Sequence, residues 1–462
     1  MSNIKAPQLR AQPVSVTRKM AASLPGLREM AQSKGLKMHH LGAGYPHPEV
    51  TDPRGFLSHQ QRYFEHLERT EGINDATELP EYLREGFAYS DTLGPLPTRQ
   101  AFAAVYGADW GVALDPQRLL PTVGATGGIN LICSLFERPG TPVAYITDAP
   151  TYAGFMARVS LCQHATIFSV DMDAEGPHPE MFRQQIHAAR AAGYAVPFYY
   201  TVPDGHNPAG FSFSAARRQT IMDIARDEGL LIVEDAPYIY INYAAEGERA
   251  QPFLALDPRQ TVHLFTGSKI GFPGPRVGFF YSEAELEIAE GEQVSLTELA
   301  LTEASSDLLF HNPMALRGFE SLLHDDSFQR INSMWPLAEK KLVVYRENRE
   351  IMLSELERAL GDAPQFSWTQ PGAGFFTVFT FHDEHIVTDD DFVAELVANY
   401  GLVVIPMYDF YPSDARTRNA RAGMNQLRLS FCFSESTGDQ RRADLTEAVQ
   451  AFCAAVQEIS KG

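Results

Sequence analysis

Short apolar runs alternate with helix-like patterns through the middle of the chain. Five runs have the length and residue types of buried strands: Val143–Thr147, Phe198–Val202, Leu230–Val233, Val262–Phe265 and Val277–Tyr281. Between the second and third runs, Ser214 can cap a helix that ends at Gly229. The apolar face of that helix is Ile221, Ile224 and Ala225. Because strands that alternate with helices form crossover units, the pattern predicts a mainly parallel sheet with helices on both faces.

The two ends of the chain have a different pattern. Residues 1–40 are polar and mixed, and they predict an arm or a short helix near Ser23–Ser33. The C-terminal part predicts a long charged helix over 332–360, followed by an extended segment at Phe375–Phe381, a helix at Asp390–Tyr400, strands at Leu402–Ile405 and Gln426–Phe433, and a terminal helix. We expect an N-terminal arm over 1–48 that joins a small domain, a large domain over 49–330, and a small α+β domain over 331–462.

Composition narrows the class of protein. Of the 462 residues, 44% are hydrophobic and 21% are charged, which is the usage of globular proteins and not of disordered, collagen-like or coiled-coil chains. The net charge of −20 disfavours binding to nucleic acid, because phosphates require a basic surface. No apolar stretch approaches the roughly 18 residues of a membrane span. The basic N-terminus is not followed by the apolar core of a secretion signal.

Cysteine usage also favours the cytoplasm. The four cysteines are far apart and form neither a CxxC pair nor a Cys/His cluster: Cys133, Cys162, Cys432 and Cys453. Such cysteines are typical of reduced thiols in a reducing compartment. We therefore expect a cytoplasmic protein that binds neither a membrane nor a metal.

The strongest chemical signal is a lysine just after a predicted strand. In Thr266-Gly267-Ser268-Lys269, the lysine is followed seven residues later by Arg276. Apolar surroundings and a nearby cation lower the pKa of a lysine, which makes it a usable amine nucleophile. The hydroxyls of Thr266 and Ser268 together with Arg276 suit an anion with several oxygens, such as a phosphate monoester. The alternative is a surface lysine beside a Gly/Pro turn.

Two other polar segments also follow predicted strands. Asp235, in Glu234-Asp235-Ala236-Pro237-Tyr238, could pair with a protonated ring nitrogen, and the Tyr238 phenol could donate to a ring oxygen. Asn207, in His206-Asn207-Pro208, could aim its amide into the same cleft, whereas His206 has only a weak claim to catalysis. Open α/β sheets bind ligands at the carboxyl ends of their strands. Both segments could instead be plain turns.

Three weaker signals complete the set. The turn Thr122–Gly128 leads into a helix, so that its backbone N–H groups and the Thr126 hydroxyl form an anion site. Tyr152 follows a strand and could stack on a flat ring, although tyrosines such as Tyr152 and Tyr89 are more often core or rim residues than ligands. Arg428 lies inside an apolar strand and needs an anionic partner, either a substrate carboxylate or a structural Asp or Glu.

These segments occur in an order that resembles the fold-type I pyridoxal-phosphate (PLP) aminotransferases. The similarity is greatest to the α-aminoadipate/kynurenine and aromatic aminotransferase branch. Residues 41–48 (Leu-Gly-Ala-Gly-Tyr-Pro-His-Pro) resemble its N-terminal Gly-Pro segment, and residues 371–376 (Pro-Gly-Ala-Gly-Phe-Phe) resemble its C-domain turn. The resemblance implies an α/β fold: a large domain with a mainly parallel seven-stranded sheet between helices, and a smaller α+β domain formed by the N-terminal arm and the C-terminal part.

The resemblance also implies a role for each candidate residue. Lys269 would hold PLP as an internal aldimine, and Lys269, Asp235 and Tyr152 would be the catalytic residues. Asp235 would pair with the pyridine nitrogen, and Tyr89 would reach the phosphate of the neighbouring subunit's cofactor in a homodimer with shared active sites. The other cofactor contacts would be Asn207 and Tyr238 at the phenolic oxygen, Tyr152 on the ring, and Ala125, Thr126, Thr266, Ser268 and Arg276 at the phosphate. The substrate would contact Arg428 through its α-carboxylate, together with Asn207, Gly44 and Tyr45.

The implied activity is that of a PLP-dependent transaminase. It would move an amino group from an aromatic or aminoadipate-like L-amino acid, or from a broad range of them, to a 2-oxo acid such as 2-oxoglutarate. The same cofactor residues serve carbon–sulfur lyases and ring-forming synthases, which remain alternatives. A regulatory binding module would need an N-terminal helix-turn-helix, for which residues 1–40 are too short. The segment Phe56–Glu81 is longer than the resemblance implies, and we expect it at the pocket mouth or the dimer edge.

Overall fold

A large mixed sheet forms the centre of the protein. The computed structural model describes residues 16–42, 44–73, 77–138, 140–432 and 436–461. In spatial order, the strands of the sheet are Leu120–Val123, Val277–Ser282, Thr261–Thr266, Leu231–Asp235, Phe198–Thr201, Val143–Ala149, Ala165–Asp173 and Gly176–Pro177. The five strands from Thr261–Thr266 to Ala165–Asp173 are parallel, and the others pair antiparallel at the edges.

The prediction of a mainly parallel sheet is confirmed, but the sheet has eight strands where the resemblance implied seven. All five predicted strands are present, each within two residues of its predicted ends. The eighth strand, Gly176–Pro177, is only two residues long and extends the sheet beside Met172 and Asp173. The pattern did not indicate the strands Leu120–Val123 and Ala165–Asp173. The first is four residues long, and only Ser169 and Val170 of the second are buried, so neither gives a continuous buried apolar run.

Helices cover both faces of this sheet, as the alternation of strands and helices predicts. The helices around it are Leu96–Trp110, Gly124–Phe136, Ala153–Val159, Pro179–Ala191, Ala215–Asp227, Phe253–Leu256, Leu296–Asp307 and Pro313–Ser321. Neighbouring strand residues enter different cores: Tyr200 stacks on Phe155 of the helix Ala153–Val159, whereas Tyr199 lies in the core lined by the helices Pro179–Ala191 and Ala215–Asp227. Ser214 caps the last of these helices, because its Oγ accepts from the backbone N–H of Arg217 at 3.1 Å.

A smaller sheet is built from the C-terminal part of the chain. Its strands, in order, are Phe366–Trp368, Phe376–Phe381, Gln426–Ser430 and Ile405–Pro406, all antiparallel. The helices of this part are Trp335–Leu360, Asp390–Tyr400, Ser413–Arg418 and Gly438–Ile459, with a 3₁₀ turn at Tyr408–Phe410. The predicted strand Leu402–Ile405 is wrong as one unit. Leu402–Val403 pairs with His39–His40 of the N-terminal arm, whereas Ile405–Pro406 joins the small sheet.

The N-terminal arm contacts the C-terminal part. The arm's helix runs from Val16 to Ser33, so it is longer than the short helix predicted near Ser23–Ser33. Lys19 on this helix forms ion pairs with Asp390 and Asp409. Residues 1–15 and the predicted strand end Phe433 lie outside the described residues. The domain boundaries at residues 48 and 330 remain predictions.

The segment Phe56–Glu81 is mostly helical and packs away from the predicted site. The helices in and beside this segment are Pro48–Thr51, Pro53–Glu71 and Glu81–Gly86, and residues 74–76 lie outside the described residues. Tyr63 Oη donates to Glu320 Oε1 at 2.6 Å, and Thr98 Oγ1 donates to Glu320 Oε2 at 2.6 Å. This buried carboxylate joins the segment to the helix Pro313–Ser321, so the described part of the segment buttresses the large domain.

The remaining elements are a 3₁₀ turn at Pro116–Arg118 and an exposed hairpin of strands Glu285–Ala289 and Glu292–Ser295. Within the described ranges, no helix combines the length and the apolar character needed to cross a membrane. The same ranges hold no group of three or more His, Cys, Asp or Glu side chains placed to bind a metal ion.

Candidate active site

One cavity of about 480 Å³ brings the predicted site residues together. It lies where the carboxyl ends of the parallel strands face the small sheet and the N-terminal arm, and every predicted site residue except Tyr89 lines it. The lining residues that sequence reasoning did not single out are Leu24, His40, Gly42, Val202, Pro237, Phe376, Ile405 and Phe410. No described residue between Phe56 and Glu81 lines the cavity of its own chain, and the position expected for this segment, at the pocket mouth or the dimer edge, stays a prediction.

Lys269 presents an amine to the middle of the cavity. It follows the strand Thr261–Thr266, and its Nζ donates to the carbonyl oxygen of Gly44 at 2.7 Å. Burial lowers the pKa of this lysine to about 8, because desolvation disfavours the ammonium form, and the Arg428 guanidinium acts in the same direction. A fraction of the amine is therefore unprotonated near neutral pH, which is the form a nucleophile or general base requires.

Asp235 is the last residue of a central strand and is almost completely buried. Its Oδ2 accepts a hydrogen bond from Tyr200 Oη at 2.7 Å, while Oδ1 has no hydrogen-bond partner among the described residues. Burial raises the pKa of this carboxyl to about 6, and the hydrogen bond from Tyr200 opposes that shift. An unpartnered buried carboxylate oxygen is costly, so this geometry favours a ligand that donates to it.

The cavity end near Arg276 suits an anion. Arg276 Nη1 donates to Ser268 Oγ at 2.8 Å, and Thr266 Oγ1 donates to the same oxygen at 3.0 Å. Ala125 and Thr126 stand in the first turn of the helix Gly124–Phe136, where backbone N–H groups are not used by the helix itself. A guanidinium, hydroxyls and a helix N-terminus together match the oxygens of a phosphate monoester.

Gly124 is required at this end for steric reasons. Its φ of +64° lies in the left-handed region, and a Cβ atom there would come within 2.4 Å of Arg276 Nη2. Its backbone N–H donates to the Arg276 carbonyl oxygen at 2.8 Å, and His311 Nε2 contacts the same oxygen at 3.0 Å. These contacts hold Arg276, whose own φ is +61°, beside the turn.

Arg428 lies on the strand Gln426–Ser430 at the opposite side of the cavity. Its Nη1 donates to Asn207 Oδ1 at 2.8 Å, its Nη2 donates to the Gly42 carbonyl at 3.2 Å, and its Nε has no partner in the described parts of the chain. Within those parts it makes no ion pair with Asp or Glu, so the structural ion pair left open by the sequence is not observed. Burial lowers the pKa of the guanidinium to about 10. An added carboxylate would satisfy this buried cation.

The aromatic candidates have distinct positions. Tyr152 lies immediately before the helix Ala153–Val159, and a Cβ at Gly154 would meet its ring at 2.4 Å, so the glycine leaves room for it. The Tyr238 ring is buried and lies 5.9 Å from Lys269 Nζ. Tyr89 is 90% exposed and does not line the cavity of its own chain. The roles predicted for these three residues remain predictions.

His206 has a structural position. Its Nε2 lies 3.2 Å from Asp148 Oδ2, its Nδ1 lies 3.3 Å from the backbone nitrogen of Ala209, and the side chain is fully buried outside the cavity. It thus braces the turn that presents Asn207. Tyr200 is a further residue that sequence reasoning missed, and it contacts the site from behind the cavity wall through Asp235. It lies inside the apolar strand Phe198–Thr201, where its pattern is that of a core residue, and only the hydrogen bond to Asp235 distinguishes it.

Comparison with known proteins places this geometry in a family. The family model "Aminotransferase class I and II" matches residues 82–433. The chain is 28% identical over 396 residues to the (S)-3,5-dihydroxyphenylglycine transaminase of Amycolatopsis orientalis, which covers 85% of this chain and 83% of that protein. It is 24% identical to the aromatic-amino-acid aminotransferase 1 of Thermococcus litoralis, with 77% and 78% covered.

The fold is shared with solved aminotransferases. The crystal structure of the kynurenine aminotransferase from Pyrococcus horikoshii superposes with a TM-score of 0.74 at 20% identity, and the match covers 98% of this chain and 96% of that one. Together with the family match, this confirms the fold-type I architecture and the resemblance to the kynurenine and aromatic aminotransferases. The chain belongs to the class I and II aminotransferases, a family whose membership makes it a transaminase and implies pyridoxal phosphate as its cofactor.

Proposed function

We propose that the cavity binds PLP and that this chain transfers amino groups from L-amino acids with apolar or aromatic side chains to a 2-oxo acid. The observation that carries the proposal is the placement of the Lys269 amine, the half-paired Asp235 carboxylate and the Ser268–Arg276 anion site in one cavity. These three groups match the aldehyde, the ring nitrogen and the phosphate of PLP. The residues present therefore fit the cofactor that the family implies.

Each cofactor contact is assigned to a residue that lines the cavity. Lys269 would hold the aldehyde carbon, and Asp235 Oδ1 would accept from the protonated ring nitrogen. Tyr152 would cover one face of the ring. The phenolic oxygen would be held by Asn207 and Tyr238, and the phosphate by Ala125, Thr126, Thr266, Ser268 and Arg276.

The chain's own residues would then control proton movement. When bound, PLP supplies an electrophilic carbon and a ring that accepts electron density. The Lys269 Nζ can take up the α-proton of the amino acid and return it to another atom, because its lowered pKa lets the neutral amine exist near neutral pH. Arg428 binds the α-carboxylate and so places the α-carbon within reach of Nζ. Asp235, as a carboxylate, keeps the ring nitrogen protonated.

The cavity lining supports the substrate class. Two apolar rings flank Arg428: its guanidinium carbon lies 4.1 Å from the Phe376 ring centroid and 5.0 Å from that of Phe410. Leu24 and Ile405 also line the cavity, and Gly44 and Tyr45 complete the wall. This surface suits an aromatic or long aliphatic side chain. The names of the related transaminases support aromatic donors, and we take 2-oxoglutarate as the acceptor.

A second copy of the chain would complete each active site. Tyr89 and Phe87 are highly exposed, and Leu308 and Leu309 are about half exposed beside them. Thr92 Oγ1 donates to the Leu309 carbonyl at 2.6 Å, which holds the two segments together. An exposed apolar patch of this kind marks an interaction surface. We propose a homodimer in which Tyr89 contacts the phosphate in the partner's cavity; the cytoplasmic location remains a prediction.

Borohydride reduction tests the proposed function directly. Wild-type protein incubated with PLP and borohydride should gain one reduced pyridoxyl group on the peptide that contains Lys269. The Lys269→Ala variant should gain none there. Lys341→Arg is the matched control, because Lys341 is also partly buried and donates to the Val50 carbonyl at 3.0 Å outside this cavity. A label on any other lysine, or none on wild type, would overturn the proposal.

Amino-acid panels then define the reaction. Aromatic amino acids should bleach the visible band of the PLP-loaded protein, and 2-oxoglutarate should restore it. Release of pyruvate from a cysteine conjugate without a 2-oxo acid would instead identify a carbon–sulfur lyase.

A further inference from the structure

Tyr200 is a buried phenol whose hydroxyl is committed to one carboxylate. It stands on the strand Phe198–Thr201, which pairs in parallel with Leu231–Asp235. Tyr200 Oη donates to Asp235 Oδ2 at 2.7 Å, and the Tyr200 side chain is completely buried. Tyr200 does not line the cavity, so any effect it has on a ligand must pass through Asp235.

The hydrogen bond leaves the two carboxylate oxygens of Asp235 unequal. Oδ2 is occupied, whereas Oδ1 has no partner among the described residues, and Asp235 lines the cavity. A phenol that donates at one oxygen fixes the rotation of the carboxylate. Burial raises the pKa of Tyr200 well above its usual value, so the hydroxyl keeps its proton and remains a donor. A permanent donor stabilises the charged form of a carboxylate.

The phenol itself is held by a stacked ring. The centroids of Tyr200 and Phe155 are 4.0 Å apart and their planes are inclined by only 10°. Phe155 is completely buried on the helix Ala153–Val159. The hydroxyl therefore has little freedom to leave Asp235.

Other titratable groups act on the same carboxylate. His263 and Lys269 lower the pKa of Asp235 through their charges, although less than the Tyr200 hydrogen bond does. The other titratable groups whose charges interact with Tyr200 or Asp235 are Asp148, Tyr152, Tyr238, His263 and Lys269. Within the described residues, none of these five groups makes a hydrogen bond to the Asp235 side chain, whereas Tyr200 does.

We propose that Tyr200 is a positioning residue for the cofactor: its hydroxyl keeps Asp235 ionised and turned so that Oδ1 can accept from the protonated ring nitrogen of PLP. The proposal rests on the role of Asp235 in the proposed function. It predicts that the Tyr200 hydroxyl matters to a ligand only when that ligand carries a ring nitrogen.

The test uses two probes that differ in one ring atom. The cofactor-free full-length chain is titrated with PLP and with 1-deazapyridoxal phosphate, in which a carbon replaces the ring nitrogen. Tyr200→Phe removes only the hydroxyl and keeps the stacked ring. Tyr199→Phe is the matched control, because the neighbouring phenol faces the other side of the sheet and donates to Asp148.

Binding constants should separate the variants. Tyr200→Phe should weaken PLP binding by about 10- to 100-fold, since hydrogen bonds to charged groups have effects of that size. It should change binding of the deaza probe by less than about twofold. Tyr199→Phe should bind both probes with the dissociation constants of the wild type. Thermal unfolding of each cofactor-free variant checks that the fold is retained.

Each contrary result has a distinct meaning. Equal weakening of both probes by Tyr200→Phe, or no weakening of either, would overturn the positioning role and leave the proposed function standing. Wild-type protein that binds both probes equally would overturn the pairing of Asp235 with the ring nitrogen, and the Tyr200 proposal with it. If Tyr200→Phe does not fold, Phe155→Leu decides, because it loosens the phenol and should weaken PLP binding more than deaza binding.

Discussion

Arg428 donates from Nη1 to Asn207 Oδ1 at 2.8 Å, which joins a strand of the small sheet to the turn after a strand of the large one. The two residues are 221 positions apart in the chain. Their contact places the proposed carboxylate-binding group beside a proposed cofactor contact. In the proposed function, this pair of side chains would couple substrate binding to cofactor orientation.

Arg428→Lys should impair the substrate step and spare cofactor loading. A lysine ammonium cannot bind Asn207, the Gly42 carbonyl and a carboxylate with the same fork of donors. We expect kcat/KM for an aromatic amino acid to fall by about 100-fold, which corresponds to about 3 kcal/mol. The PLP absorption band after loading should be unchanged. Arg421→Lys, at an exposed position just before the same strand, is the control and should keep its kcat/KM.

Phenylethylamine, which is phenylalanine without its carboxyl group, tests the carboxylate role. An equal fall in kcat/KM for phenylethylamine and phenylalanine in Arg428→Lys would contradict that role. Wild-type protein should prefer phenylalanine strongly, and Arg428→Lys should lose most of that preference.

The sequence predicts the site residues better than it predicts the strands near the edges of the large sheet. Lys269 and Asn207 follow strands predicted from short apolar runs, Asp235 ends such a strand, and parallel strands bring their carboxyl ends to one edge. Local pattern alone therefore predicts their proximity. The strand Ala165–Asp173 is mostly half-exposed and lacks such a run, so it becomes a strand only by pairing with Val143–Ala149.

Tertiary contacts explain what the pattern could not show. The segment Leu402–Ile405 reads as one strand, but its first two residues pair with the N-terminal arm and Ile405 pairs with Arg428 in another sheet. Nothing local distinguishes those partners. The Tyr200 phenol is hidden in the same way, because its hydroxyl finds Asp235 only through the register of two neighbouring strands.

Lys269→Met should stabilise the cofactor-free chain at neutral pH. The lysine pKa falls from 10.5 in an unfolded chain to about 8 in the folded one, so between these values the unfolded state binds more protons. The free energy of unfolding of the wild type must then rise with pH across that window, and the cost of burying the charge is fully present below pH 8. That cost is about 3 kcal/mol at most.

Chemical denaturation at pH 7 and pH 10.5 checks this prediction. Lys269→Met should exceed the wild type in unfolding free energy at pH 7, and the gap should close as the pH approaches 10.5. Lys461→Met, at an exposed position in the last turn, should match the wild type at both values. A gap that stays constant with pH would show that the gain comes from packing and not from the charge.

Arg276→Lys should weaken cofactor binding only through the contacts to the phosphate. Arg276 reaches Ser268 Oγ from Nη1 and the Val123 carbonyl from Nη2, at 2.8 and 3.3 Å, and a lysine cannot make both contacts. We expect PLP to bind about 10- to 100-fold more weakly and pyridoxal, which lacks the phosphate, to bind within about twofold of the wild type. Absorbance titration of the cofactor-free chain measures both constants. Equal losses for the two ligands would instead indicate a general distortion of the cavity.

In the proposed homodimer, each active site should receive Lys269 from one chain and Tyr89 from the other. Tyr89 is 90% exposed and does not line its own cavity, so in the proposed homodimer it serves the partner. Lys269→Ala should be inactive, and Tyr89→Ala should be strongly impaired. In a hybrid dimer, one site would carry both defects and the other would carry neither. Refolding the two variants together at equal amounts makes half of the dimers hybrid, so about a quarter of all sites should regain full activity. If Tyr89 acted within its own chain, each hybrid site would keep one defect, and mixing would restore nothing beyond the average of the parents.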